Sequence, residues 1–319
     1  MIVLRSYPNI VCGIVAVLIV LSLGACRREE RAFVVGFSQM EHNNPWRLAQ
    51  TASIKAEAAK RKYELVVTDA QSQTSKQVSD VEDLVARGVG LILLAPREYE
   101  GLAPALEAAQ AASIPVILVD REATGTPGED YVTFLGSNFI EQGDRAGEWL
   151  ARQTRGEARI VELTGTPGSS VAVDRAKGFR QAISRYPRMQ IIASQTGDFS
   201  RAAGQRAMLN IVQAKGRQIT AVYAHNDEMA LGAIEALKAA GITPGVDVTI
   251  ISVDGERAAL ESIARGELGA TVESNPRFGP LAFDVIEKVR RGEKVPPKIL
   301  ITDRFFDRSN AAQFVADAY

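Results

Sequence analysis

The residues best equipped for chemistry in this chain sit just past its short apolar runs. The clearest case is Ile114-Pro-Val-Ile-Leu-Val-Asp-Arg121, where an apolar run stops abruptly at a carboxylate and a guanidinium. An unbroken run of that kind reads as a parallel strand buried on both faces, with Pro115 tolerated at its start. Ligands of open α/β sheets bind in the crevice outside the carboxyl ends of the strands, so Asp120 and Arg121 stand where a ligand would be met. Taken alone, the pair could equally be a surface ion pair closing a strand. The arrangement recurs, however. Asn44, Trp46 and Arg47 follow the first apolar run, and Ser137 and Asn138 follow Leu135. Asp174 and Arg175 lie beyond the loop 164–169, and Asp198 and Phe199 follow the run at 190–194. His225, Asn226 and Asp227 follow Tyr223, and Asp254 and Gly255 follow Val253.

Planar aromatics combined with Asp, Asn and Arg suit a sugar. A sugar ring packs its C–H face on an aromatic plane, and its hydroxyls both donate and accept. Carboxylates accept from those hydroxyls while Arg and Asn donate, in charge-assisted bonds of about 1.5–3 kcal/mol each. Plainer roles exist for several of these residues. Trp46 and Phe199 could be ordinary core, and Asp227 reads as a helix N-cap before it reads as a ligand group. His225 has no second His or Cys nearby and reads as structural.

The elements that must position these groups alternate along the chain. Apolar runs at 33–37, 64–68, 90–94, 116–119 and 132–135 predict strands. Helices are predicted from Pro45 to about Lys62, from Thr74 to Arg87 and from Leu102 to Ala112. The rhythm then restarts. A helix follows Ser137-Asn138 to about Gln153, and strands at 159–163, 190–194, 220–223 and 248–252 alternate with helices at 169–185, 201–214 and 227–239. The tail holds a strand at 269–272, a helix from Pro276 to Arg291, a strand at 299–301 and a segment from Phe305 onward. Two βαβ series predict an α/β chain of two doubly wound parallel-sheet lobes. If the sheets face each other, the strand-end residues line one cleft between the lobes.

Length and composition agree with this. The chain has 319 residues, 46% apolar and 24% charged, with a net charge of −1. That is enough chain for two domains, and it offers no basic field for nucleic acid. The N-terminus is different in kind. Ile10 to Leu23 is almost wholly apolar with Arg5 upstream, which suits a secretory leader and is short for a membrane span. It ends in Leu23-Gly24-Ala25-Cys26, which resembles the lipobox of bacterial lipoproteins. That resemblance implies a signal peptide at 1–25, lipid on Cys26 and a tether to residue 31. Arg27, Arg28 and Arg31 after the apolar run argue instead for an uncleaved anchor, but then Cys26 has no evident purpose. The other cysteine, Cys12, lies in the leader, so no internal disulfide is expected.

The mature chain resembles the periplasmic sugar-binding proteins of the ribose-binding type, which serve ABC importers, over nearly its whole length. Asn43-Asn44-Pro45-Trp46, Val119-Asp120-Arg121, Ala172 to Phe179, Gly197-Asp198-Phe199, His225 to Ala233 and Val253-Asp254-Gly255 carry the likeness. Within that family the closer likeness is to galactofuranose-binding proteins, through Gly36-Phe37-Ser38-Gln39, Trp46-Arg47, Leu118 to Arg121, Tyr223 to Asp227 and Ser252 to Gly255. Ribose binders place an aromatic where Arg47 stands. The first loop, Glu41 to Pro45, and the lipobox depart from the galactofuranose pattern.

The resemblance implies the periplasmic binding protein type I fold. Its N-terminal lobe would be built from 32–136 plus 275–301 and its C-terminal lobe from 137–274 plus 302–319. It implies a three-segment hinge near Gly136–Ser137, Ser274–Asn275 and Ile301–Asp303. It also implies a sugar site of Asn44, Trp46, Arg47, Asp120, Arg121, Asn138, Arg175, Phe199, Asn226 and Asp254, with Ser274 beside it. The expected partners are a monosaccharide, an ABC permease and its ATPase, and the membrane through Cys26. No cofactor, metal or nucleic acid is expected, and the protein should be a monomer outside the cytoplasm. The same lobes could instead present a sugar to a membrane kinase or chemoreceptor. A transcription regulator would need an N-terminal helix-turn-helix, and residues 1–31 hold none. An enzyme is not expected. The sequence has no metal spacing, nucleophile elbow or phosphate loop, Gly165-Thr-Pro-Gly168 being too weak to count, and Arg121 beside Asp120 suits hydrogen bonding more than acid catalysis.

Overall fold

The computed structural model describes residues 33–319. The leader, Cys26 and the tether lie outside the described residues. Val116–Val119 forms strand β4 and is buried along its whole length, as an unbroken apolar run requires. The other strands of its sheet are β1 (Val34–Gln39), β2 (Glu64–Asp69), β3 (Leu91–Leu94), β5 (Thr133–Ser137) and β11 (Lys298–Ile301). They lie in the order β11-β5-β4-β3-β1-β2, and the named pairs are parallel. Helices α1 (Pro45–Lys60), α2 (Thr74–Ala86), α3 (Ala103–Ala111) and α9 (Gly279–Arg290) complete this lobe.

The second sheet runs β12-β10-β9-β8-β6-β7. Its strands are β6 (Glu157–Thr164), β7 (Arg188–Thr196), β8 (Ala221–Ala224), β9 (Thr249–Asp254), β10 (Ala270–Glu273) and β12 (Phe305–Asp307). Here β12 alone runs antiparallel, along β10. The helices are α4 (Phe139–Gln153), α5 (Ser170–Ile183), α6 (Arg201–Lys215), α7 (Asp227–Ala239), α8 (Arg257–Ala264) and the short α10 (Ala311–Phe314). The chain passes between the sheets after β5, after β10 and after β11, so each crossing leaves from the carboxyl end of a strand.

Two local features differ from the sequence expectation. The helix α8 was not anticipated, and the helix foreseen from Pro276 begins only at Gly279. The intervening residues form the second crossing, where Asn275 Oδ1 accepts from the Arg277 amide at 2.9 Å in a turn that a helix would not permit.

One packing contact fixes the site. A Cβ on Gly178 of α5 would lie 1.9 Å from the Ile140 carbonyl oxygen, and a Cβ on Gly143 of α4 would lie 2.2 Å from the Arg175 carbonyl oxygen. The two helices therefore touch backbone to backbone, an approach that only glycine allows. This locks the register between Arg175 on α5 and the residues next to Gly143 on α4.

Candidate functional site

Both sheets turn the carboxyl ends of their strands toward one gap between the lobes. Asn44, Trp46, Arg47, Asp120 and Arg121 line it from one lobe and Arg175, Phe199, Asn226 and Asp254 from the other, with Ser274 on the second crossing. A small cavity of about 30 Å³ lies between them. The lobes meet at its rim. The Tyr99 amide donates to the Gly168 carbonyl at 2.9 Å, the Glu122 amide donates to Ser170 Oγ at 2.9 Å, and Arg97 Nη2 stands 3.9 Å from Asp198 Oδ1.

Each guanidinium is held by the chain around it. Arg47 Nη2 lies 2.6 Å from Asp120 Oδ2 and Arg47 Nη1 donates to Gln50 Oε1 at 3.2 Å, while the guanidinium carbon sits 4.6 Å from the Trp46 ring centroid. The Trp46 indole N–H donates to the Ser274 carbonyl at 2.7 Å, and its ring meets Phe278 edge-on at 5.9 Å. Trp46 is thus both core and site wall. Asn44 caps α1 by accepting from the Arg47 amide at 2.9 Å. On the facing lobe, Arg175 Nη2 stands 3.4 Å from Asp254 Oδ1, and Arg175 Nη1 donates to the His225 carbonyl at 2.5 Å. The Phe199 ring has Arg121 at 5.3 Å and Arg175 at 5.9 Å, both within cation–π range. It occupies the space where a Cβ on Gly165 would stand, 1.9 Å from Phe199 Cζ.

Several of these residues hold a left-handed backbone: φ is 67° at Asp120, 50° at Asp198, 55° at Phe199 and 139° at Asp254. Burial raises the Asp254 carboxyl well above the ordinary carboxylate range; Arg175 opposes the shift, and Asp227 and Asp120 add to it. Burial also brings the Arg121 guanidinium down to about 9, with Arg47 reinforcing the shift and Asp120 opposing it. Polar groups so poorly hydrated favour a ligand that offers donors and acceptors of its own.

The chain belongs to the periplasmic binding protein family. The family model, described as a periplasmic binding protein domain, matches residues 35–294. Among the relatives of this periplasmic binding protein is the galactofuranose-binding protein of Escherichia coli, 40% identical over 271 residues, which are 84% of this chain and 85% of the relative. A crystal structure of a galactofuranose binding protein matches with a TM-score of 0.88 at 38% identity, covering 90% of this chain and 98% of that one. The periplasmic binding protein component of the arabinose ABC transporter from Shewanella, bound to α- and β-L-arabinofuranose, matches at 0.86 and 40% identity, covering 89% and 95%. Membership makes the chain a binding protein and not an enzyme, and it implies an extracytoplasmic location.

Within this periplasmic binding protein, the structure brings together every residue foreseen for the site except Asn138. That side chain is exposed and caps α4, accepting from the Glu141 amide at 3.2 Å; the cap commits its oxygen to the helix, away from the gap. Asp227 likewise differs from expectation. The cap of α7 is Asn226, whose Oδ1 accepts from the Met229 amide at 3.0 Å while its Nδ2 donates to the Phe199 carbonyl at 3.1 Å. Asp227 instead accepts from the amides of Gly255 and Glu256 at 2.7 and 2.8 Å, and so braces the turn that carries Asp254. His225 is fully buried behind the site, with Nε2 3.4 Å from Glu162 Oε1. Val171 completes the lining and was not foreseen, although it lies one helical turn before Arg175 on the same face. Among the described residues no cluster of His, Cys, Asp and Glu could hold a metal ion, and no helix is long and apolar enough to cross a membrane.

Proposed function

We propose that this protein captures a monosaccharide outside the cytoplasm, in galactofuranose-like furanose form, and delivers it to an ABC importer. One observation carries the reading: two guanidinium–carboxylate couples, Arg47–Asp120 and Arg175–Asp254, come from opposite lobes to a single gap beside Trp46 and Phe199. One sugar can satisfy both couples only when the lobes are together, so ligand shifts the open–closed equilibrium through its contacts with the second lobe. The permease would then read the closed rim. The lobe boundaries and the three hinge crossings are those set out from the sequence, and the protein acts as a monomer. The relatives named for galactofuranose and arabinofuranose support the furanose, and Arg47 supports it from this chain's own side.

A thermal-shift panel of pentoses and hexoses, including galactofuranose and L-arabinose, tests the proposal. Ligand at a hundred times its Kd stabilises the native state by about 2.7 kcal/mol, so a furanose-rich sugar should raise Tm clearly. A panel in which no sugar moves Tm would sink it. We infer further that residues 1–25 are removed and that Cys26 carries lipid, on the strength of Leu23-Gly24-Ala25-Cys26 after the apolar stretch. Mass spectrometry of the mature N-terminus should show a lipidated Cys26; an intact Met1 or an unmodified cysteine would reject the inference.

A further inference from the structure

The side chain of Gln142 touches the site and two of the three crossings at once. It lies in the first turns of α4, is 1% exposed, and accepts at Oε1 from Arg175 Nε at 2.9 Å. Its Nε2 donates to Asp303 Oδ2 at 2.7 Å and to the Glu273 carbonyl at 3.2 Å. Asp303 belongs to the third crossing and Glu273 ends the strand that leads into the second. The first crossing joins through Ser137, whose Oγ donates to Asp303 Oδ1 at 3.2 Å. Arg145, one turn further along α4, donates to the Asp303 carbonyl at 2.8 Å.

The chemistry leaves one orientation for this amide. A guanidinium offers only donors and a carboxylate or carbonyl only acceptors, so the oxygen must face Arg175 and the nitrogen must face the crossings. A carboxamide serves both ends while staying neutral. A carboxylate at 142 would oppose Asp303, and an apolar side chain would leave Arg175 Nε, Asp303 and the Glu273 carbonyl without their partner. The glycine contact between α4 and α5 holds the two helices in the register this requires.

We propose that Gln142 is a positioning residue that couples Arg175 to the hinge, so that engagement of the sugar by Arg175 and closure of the lobes are one event. The proposal rests on the sugar-site reading above. Gln142 need not touch the sugar; it links the angle between the lobes to the direction in which Arg175 points.

A double-mutant cycle tests this. Gln142→Met, Asp303→Ala and the double variant are compared with wild type by titration calorimetry against the sugar that gives the largest thermal shift. Small-angle scattering of the same samples gives the radius of gyration with and without sugar. Each single variant is expected to weaken binding about tenfold, and the double variant to bind no worse than the weaker single, because both cut the same link. Gln142→Met should also change the sugar-free radius of gyration. Additive losses, or wild-type affinity in Gln142→Met, would overturn the coupling. If no sugar on the panel binds, the site reading fails by itself, and the sugar-free radius decides: a changed value in Gln142→Met upholds the link to the hinge and an unchanged one overturns it. Should Gln142→Met fail to fold, Gln142→Asn, which keeps the amide but loses its reach, carries the same cycle.

Discussion

Replacing Asp254 by Ala is expected to weaken sugar binding at least tenfold while leaving the lobes folded. The carboxylate is buried at the end of β9 and stands 3.4 Å from Arg175, so in the proposed site it would accept from a sugar hydroxyl and balance the guanidinium beside it. One hydrogen bond to a charged group contributes about 1.5–3 kcal/mol, and each 1.4 kcal/mol is a factor of ten in affinity. The same residue gives binding a pH dependence of definite sign. Because burial lifts its carboxyl well above the ordinary range, Asp254 takes up a proton at a pH where an exposed aspartate would still be charged. A hydroxyl donates more strongly to the ionised form of Asp254, so affinity should fall as pH is lowered through that raised value and recover as pH rises above it. Asp254→Asn should bind weakly and without that slope. Calorimetry across pH checks both points, and wild-type affinity in Asp254→Ala would remove this residue from the site.

Arg47→Ala should cost stability as well as binding. Arg47 and Asp120 are 4% exposed each, and the next cation, Arg121 Nε, stands 3.9 Å from Asp120 Oδ2. Removing one partner of a buried pair leaves an uncompensated charge and costs about 3–5 kcal/mol. For a chain of this length that corresponds to a fall in Tm of roughly 10 °C. Adding Asp120→Ala to Arg47→Ala should restore part of that Tm, since no orphaned carboxylate remains, but it should not restore sugar binding. Recovery of both together would mean that the pair serves the fold alone.

The two lobes and most of the lining of the candidate site were legible in the sequence because they rest on one repeated signal, a short apolar run ending in polar residues. Val116–Val119 before Asp120 and Ala221–Ala224 before Asn226 are buried strands of that kind. The signal says which residues leave a strand at its carboxyl end, but not which way their side chains turn. Asn138 satisfies the pattern and yet spends its oxygen on the Glu141 amide, a choice set by the helix that starts immediately after it. Helix α8 was missed because its few turns bury only Ala259, Leu260, Ser262 and Ile263, too brief a period to stand out. Gln142 carried no signal at all. A lone glutamine on a helix looks like solvated surface until Arg175, Asp303 and Glu273 are brought around it from distant parts of the chain.

The left-handed backbone at Asp120, Phe199 and Asp254 bears on how this cleft tolerates variation. Each such residue costs of order 1–3 kcal/mol, sustained only because the surrounding lobes over-determine it. A loop already held to one shape surrenders little freedom when a guest arrives, so less of the interaction energy goes into ordering it. The counterpart is a narrow alphabet at these positions. Asparagine and glycine fit the backbone at 120 and glycine fits that at 254, whereas branched side chains do not, so libraries aimed at new guests should leave these positions fixed.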